Sequence, residues 1–373
     1  MITLPNSLTL PPDTRLGRGA SQQLLALCDT FGDRGCLVCG QSQVRSGNLD
    51  RILGDVSSDV EARVWLHPGD EPTLDQLEDL LALVREHDAR WVAAVGGGSV
   101  IDIAKAAAGL HHAPRSVVDY HDGAAIPASS TAFIAVPTTA GTGSEATTVS
   151  VLTNGDTGVK KSIRHPSFMA RLVLLDPDLL ATCPKDVLAA SGMDAFTQAV
   201  ESYCSNGATW LTDTLALKAL ELIHQGLLPA YSGDGEAYPA LLTGSYLAGI
   251  ALTNAHLGLV HGLAHPLGAR FHVPHGLVCA VCLPLVVDFN REAMGDKYAR
   301  MSEVVGDDLL AHVRTMLDRM QIRNPFPGQE LRDRETVIEE TLASGSTKAN
   351  PRTVTAEDAG RVLDAIFEMP AKG

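Results

Sequence analysis

Trp91-Val-Ala-Ala-Val95 runs directly into Gly96-Gly97-Gly98-Ser99, and from there into a helical pattern whose start is marked by the pair Ser99-x-x-Asp102. Strand, glycines and helix in that order make a phosphate cradle. Glycine lets the backbone approach a diphosphate closely, and the free N–H groups of the helix start favour its negative charge. The run is not G-x-G-x-x-G, so a tight turn that needs glycine only for its backbone is the competing reading. A second loop, Pro137-Thr138-Thr139-Ala140-Gly141-Thr142-Gly143-Ser144-Glu145, follows another apolar strand and is dense in hydroxyls. Two such loops after neighbouring strands are harder to explain as surface turns than one.

Working outward, short β-type runs recur at 36–38, 62–66, 91–95, 132–136 and 172–175, with helical patterns between several of them. The clearest helix, 73–84, carries Leu74, Leu77, Leu80, Leu81 and Val84 on one side and opens with a Thr73-x-x-Gln76 capping box. Strand–helix alternation with nearly continuous apolar strands predicts a parallel sheet covered on both faces, an α/β Rossmann-like domain. Beyond about Thr182 the pattern changes to long helical segments, such as 210–224 with Gly226 as its C-terminal cap. The predicted organisation is an α/β domain over residues 1–182 and an all-α domain over 183–373. Ligands of such sheets bind at the carboxyl ends of the strands, which puts the expected site in the cleft between the halves.

The 373 residues, 45% hydrophobic and 20% charged, suit two folded domains. A formal charge of -15 disfavours nucleic acid and anionic lipid, and no basic stripe offsets it, so a small-molecule partner is expected. The N-terminus lacks a leader pattern, and the apolar run 276–289 is too short and too interrupted to span a bilayer. These features predict a cytoplasmic protein. Seven cysteines without a regular framework predict reduced thiols. Cys36/Cys39 lies on a strand, whose residues three apart face opposite ways. Cys279/Cys282 lies on an apolar helix with nothing nearby to complete a tetrahedral site, so both pairs read as buried structural thiols.

On the helical pattern 191–201, Asp194, Gln198 and Glu201 share one face at spacings of four and three. Farther on, His261-Gly-Leu-Ala-His265 places two imidazoles one turn apart, and His275 follows in Val273-Pro274-His275-Gly276. Carboxylate and imidazole on separate helices are donors for divalent iron or zinc. A capping role for Asp194 and packed histidines are the alternatives.

Taken together, Gly96-Gly97-Gly98-Ser99 with Asp102 and Lys105, the 137–145 loop, Gly192-x-Asp194, and His261-x-x-x-His265-Pro-Leu-Gly with Pro274-His275-Gly276 resemble the iron-containing (group III) alcohol dehydrogenases. The agreement runs in order over most of the chain. The resemblance implies a dehydroquinate-synthase-like architecture and a metal held by Asp194, His261 and His275, with Gln198 where members with four protein ligands usually carry histidine. It further implies His265 as a proton relay near the nicotinamide, dinucleotide contacts from Gly40, Gly96, Gly97, Gly98, Ser99, Asp102, Thr138, Thr139, Thr142, Ser144 and Lys160, and a homodimer. An amide oxygen is a weaker donor than imidazole, which puts metal identity and occupancy at issue. His256 is read as packed or cleft-lining. Gly40-Gln41-Ser42 lacks the acidic residue that often contacts the ribose hydroxyls in NAD-preferring members, which tilts the expectation from NAD(H) toward NADP(H), with Arg45 as a phosphate partner.

The implied activity is NAD(P)H-linked reduction of a small aldehyde, or oxidation of the alcohol, with Fe2+ or Zn2+ polarising the carbonyl. An NAD-using sugar-phosphate cyclase or lyase of the dehydroquinate synthase type is the enzymatic alternative, and net consumption of NAD(P)H separates the two. A non-catalytic nucleotide- or metal-binding relative with a decayed site is the other. The basic cluster Lys160, Lys161, Arg164 and His165 reads as solvated surface unless it meets a cofactor phosphate or an anionic aldehyde.

Overall fold

Each of the five apolar runs forms a strand in the computed structural model, which describes residues 7–54, 60–69 and 71–368. In chain order the strands are β1 (Thr14–Leu16), β2 (Arg34–Gly40), β3 (Glu61–His67), β4 (Trp91–Gly96), β5 (Ala132–Pro137), β6 (Val149–Thr153), β7 (Lys160–Arg164) and β8 (Leu172–Leu175). Six of them make one sheet in the order β1-β8-β5-β4-β2-β3, with every pairing parallel. β6 and β7 form a separate antiparallel pair. β1 and this pair were not legible as strands, because β1 is three residues long with all of them exposed and β7 carries Lys160, Lys161 and Arg164.

Alternation along the central strands buries both faces. Leu37, Cys39, Trp91, Ala93, Val95, Ile134 and Val136 join one core with Leu24, Leu25 and Ile52. Their neighbours Cys36, Val38, Val92, Ala94, Phe133 and Ala135 are buried as well. Both faces of these strands are thus sealed, as a parallel sheet demands. β3, at the edge, differs: Val64 and Leu66 are exposed.

The chain divides into two compact units. One comprises Leu10–Thr139 and Gly143–Cys183; the other takes in the described residues 7–9, Ala140–Thr142 and 184–368. From Pro184 the described residues form helices and no strands. Among the described residues no single helix is long and apolar enough to cross a membrane. A bent pair, Gly235–Ala255 with Leu259–Phe271, passes such a test only jointly, and its Leu241, Leu242, Ile250 and Leu263 are buried in the helical unit.

The helix Leu74–Glu86 has the expected capping box, with Thr73 Oγ1 accepting from Gln76 N and Gln76 Oε1 accepting from Thr73 N. Two helix-end expectations need correction. Helix Gly98–Leu110 is capped at Gly97 with no side-chain cap, so Ser99 and Asp102 form no capping box. Asp102 instead accepts from Val151 N at 3.0 Å and from the Ser144 hydroxyl. Gly226 does not stop its helix, which runs Trp210–Tyr231. A Cβ there would lie 2.8 Å from Leu241 N and 3.1 Å from Ala237 O, so the glycine serves close helix packing.

Packing at the sheet centre is equally tight: a Cβ on Gly35 would meet the Trp91 ring at 2.1 Å. Gly35→Ala should lower stability by about 1–3 kcal/mol, the usual cost of overpacking. The measurement is the urea midpoint at constant m-value, and an unchanged midpoint would contradict the packing described.

Candidate functional site

The glycine turn and the hydroxyl loop meet at the carboxyl edge of the sheet unit. Parallel register sets Gly96 opposite Pro137 and Cys39 opposite Val95, which aligns the ends of β2, β4 and β5. Gly40 caps the short helix Gln41–Arg45, and Gly97 caps Gly98–Leu110, whose first turn holds Gly98 and Ser99. Thr138 N donates to Gly96 O, Thr138 Oγ1 accepts from Gln43 Nε2, and Thr139 lies against Gly97, where a Cβ would approach its side chain to 3.4 Å. Gly40, Gly96, Gly97, Gly98, Ser99, Thr138 and Thr139 therefore cluster at one edge beside a helix start, an arrangement that fits a diphosphate.

The remaining candidates of that group are placed differently. Lys105, fully buried, donates from Nζ to Ser144 O (2.7 Å), Ser144 Oγ (2.9 Å), Thr147 O (3.1 Å), Thr147 Oγ1 (2.9 Å) and Val149 O (2.7 Å), with Asp102 Oδ1 at 4.0 Å. Asp102 and Ser144 are thus turned toward one another and toward this ammonium. Thr142 belongs with the helical unit, where Gly141 O accepts from Ser245 Oγ. Lys160 pairs with Glu71 at 2.5 Å and Lys161 with Asp122 at 3.2 Å, so acidic neighbours neutralise much of that basic cluster. His256 is exposed and ends its helix at φ 67°, rather than packing.

Within the helical unit, Asp194 and Gln198 lie one turn apart in helix Lys185–Cys204, His261 and His265 in Leu259–Phe271, and His275 at the start of His275–Met294. Asp194 Oδ1 is 3.3 Å from His261 Nε2 and 3.8 Å from His275 Nε2. Among the described residues, Asp194 Oδ1 and Gln198 Oε1 are both buried without a hydrogen-bond partner. The exposed His265 ring stacks over His275, with centroids 5.2 Å apart and planes 29° apart.

Two residues take parts that sequence reasoning missed. Glu201 Oε2 accepts from His261 Nδ1 at 2.6 Å, and its Oε1 accepts from Val260 N at 2.7 Å. The first contact leaves Nε2 facing Asp194; the second satisfies an orphan N–H of the helix start. Its place on the Asp194 face was the available signal. Cys279, read as a plain structural thiol, places Sγ 3.6 Å from His275 Nε2 and 3.8 Å from His261 Nε2. Its signal was the spacing of four from His275, obscured by the more familiar pairing with Cys282. Donor atoms of Asp194, His261, His275 and Cys279 all lie within 4.8 Å of one another.

Electrostatics match a cation-binding cluster. Burial raises the Asp194 carboxyl, but the approach of His261 and the charge of His275 outweigh it and hold the carboxyl below its usual range. Burial lowers the His261 imidazolium, but Cys279, Asp194 and Glu201 reverse this and raise it well above the ordinary value. Burial pushes the Cys279 thiol up to about 12. The groups around His261 thus favour positive charge at the place a divalent ion would take.

Residues 11–177 match the family Iron-containing alcohol dehydrogenase, and residues 188–367 match the Fe-containing alcohol dehydrogenase family, C-terminal. The chain belongs to the iron-containing alcohol dehydrogenase family. It is 30% identical over 380 residues to the NADPH-dependent butanol dehydrogenase of Clostridium saccharobutylicum, covering 96% of this chain and 97% of that one. A crystal structure of 1,3-propanediol oxidoreductase superposes with a TM-score of 0.90 at 29% identity, over 97% of this chain and 99% of its own. Sulfoacetaldehyde reductase from Bifidobacterium kashiwanohense in complex with NAD+ superposes with a TM-score of 0.91 at 26% identity, over 99% and 100%. The chain is a metal-dependent, NAD(P)-linked alcohol/aldehyde oxidoreductase, and the family uses iron.

The buried polar network of the sheet unit has a measurable signature. Desolvation raises Glu145 from 4.5 to about 7 in the folded state, against smaller opposing effects of a backbone hydrogen bond and of the Lys105 charge. The folded protein therefore holds this proton more tightly than the unfolded chain. Its stabilising contribution is complete below pH 4.5 and is lost as pH rises to about 7. Denaturant titrations at pH 5 and pH 7 should show a smaller loss of stability in Glu145→Gln than in wild type; equal losses would contradict it.

Proposed function

We propose that Asp194, His261 and His275 hold the divalent ion in this chain, with Gln198 beside them, and that His265 relays the proton in reduction of a small aldehyde by NADP(H) or NAD(H). The observation that carries this reading is the convergence of two imidazole nitrogens on one buried carboxylate oxygen that makes no hydrogen bond among the described residues. Such a set fits a divalent ion such as Fe2+ or Zn2+. When bound, the ion supplies Lewis acidity toward a carbonyl oxygen and the nicotinamide supplies hydride.

The chain's own residues do the positioning. Glu201 fixes the tautomer and orientation of His261, leaving Nε2 as the donor. Asp194 brings negative charge that favours a cation over a proton in a buried setting. His265 is exposed and stacked on His275, which lets its ring nitrogens exchange protons with solvent or with a substrate oxygen. Gly40, Gly96, Gly97, Gly98, Ser99, Thr138 and Thr139 hold the dinucleotide phosphates at the helix start, with Thr142 as a further contact. Asp102 and Ser144 shape that loop through Lys105, and Lys160 contributes positive charge tempered by Glu71.

NADP(H) is the preferred dinucleotide in this proposal, because Gly40-Gln41-Ser42 at the end of β2 offers no carboxylate to repel a 2′-phosphate. A relative that spans nearly the whole chain is NADPH-dependent by name, while a structural neighbour holds NAD+. A cytoplasmic homodimer completes the proposal: seven cysteines without a regular framework suit a reducing compartment, and dimerisation rests on family kinship.

The test combines metal analysis of protein purified without chelators with NADPH and NADH oxidation over a panel of small aldehydes. His261→Ala should lose both bound metal and turnover. His265→Ala should keep the metal and slow turnover about 100-fold or more, the scale of a general acid–base contribution. Metal and turnover both retained in His261→Ala would reject the site.

A further inference from the structure

We infer that Cys279 is itself a ligand of the divalent ion, so that this chain offers one carboxylate, two imidazoles and one thiolate. This rests on the metal reading above and departs from it in the fourth donor, a place the resemblance gave to Gln198.

The geometry supports a direct bond. An ion with ordinary zinc bond lengths in a tetrahedron separates a nitrogen from an oxygen donor by roughly 3.3 Å, and a nitrogen from a sulfur donor by roughly 3.6 Å. Asp194 Oδ1 lies 3.3 and 3.8 Å from the Nε2 atoms of His261 and His275. Cys279 Sγ lies 3.8 and 3.6 Å from the same two atoms. Four donors from three helices already stand at ligand spacing, and little rearrangement is needed to close them on one ion. A buried free thiol is ordinarily just a small hydrophobe. What distinguishes Cys279 from Cys282, three residues on in the same helix, is that three other donors converge on it.

Chemistry points the same way. A thiolate supplies the strong donor that an amide at Gln198 lacks, and Gln198 Oε1, buried and unpartnered one turn from Asp194, remains available as a weaker additional ligand. Coordination replaces the S–H bond with an S–metal bond and releases the proton to solvent, the cation overcoming the burial that otherwise keeps the thiol protonated. With Asp194 and Cys279 both anionic, the formal charge of the ion is balanced. A sulfur donor also favours zinc over iron(II), so this member should be a zinc-preferring site within an iron-named family.

The experiment is optical. Protein stripped with a chelator and dialysed is given Co2+ as probe. Wild type should bind one equivalent and show a thiolate-to-cobalt charge-transfer band in the near ultraviolet. The band should vanish in Cys279→Ser and persist in Gln198→Ala and Cys282→Ser. Zn2+ should displace the cobalt from wild type, and its affinity should fall about tenfold or more in Cys279→Ser. Stoichiometric cobalt without the band, or a band that survives Cys279→Ser, overturns the thiolate assignment and leaves the Asp194–His261–His275 site standing. Failure to bind Co2+, Zn2+ or Fe2+ at all overturns both. Should Cys279→Ser not fold, the wild-type spectrum with the Cys282→Ser control decides.

Discussion

Glu201 is buried against two demands at once: its Oε2 accepts a hydrogen bond from His261 Nδ1, and its Oε1 accepts one from the backbone N–H of Val260. Helix Leu259–Phe271 has no side-chain cap of its own, since its cap residue is Gly258. A carboxylate from helix Lys185–Cys204 supplies one of the missing acceptors, and Asn350 Oδ1 supplies another to Leu259 N. Glycine is required at 258 because a Cβ there would lie 2.7 Å from Glu201 Oε1. One buried charge thus fixes the helix start, the ring plane of His261 and the direction in which its Nε2 looks. Removing such a charge from beneath its partner costs about 3–5 kcal/mol in comparable buried pairs.

The two units solve the problem of buried charge by different means. In the sheet unit, the Lys105 ammonium is saturated by three carbonyls and two hydroxyls, and the arrangement ties the hydroxyl loop to helix Gly98–Leu110. It is a closed network with a structural outcome. In the helical unit, Asp194 and Gln198 keep buried oxygens without hydrogen-bond partners beside imidazole and thiol. A native core tolerates such orphan acceptors where something else meets their demand, and a cation does so here in the proposed reading. The contrast separates scaffold from chemistry using only the accounting of donors and acceptors.

Much of the fold was legible because its signals are local. Apolar runs at 36–38, 91–95 and 132–136 read as buried strands since both faces of β2, β4 and β5 are covered, and the Thr73/Gln76 capping box announced its helix. Local signals also misled. Gly226 and the Ser99/Asp102 pair have the right composition for helix ends, but Gly226 is held by contact with a neighbouring helix and Asp102 is claimed by Ser144 and Val151. Strand β1 escaped because it is only three residues long, and β6 and β7 because no apolar alternation marks them.

By itself the sequence determined the periodicities, the glycines that a close-approach turn requires, and the placement of Asp194, Gln198 and Glu201 on one helical face, because each depends on residues within a turn or two of one another. Tertiary structure decided which faces meet. It made Glu201 the partner of His261 and brought the Cys279 sulfur to ligand spacing from imidazoles contributed by two helices. Convergence of side chains far apart in the chain is set by how helices pack, and no spacing along one segment encodes that distance.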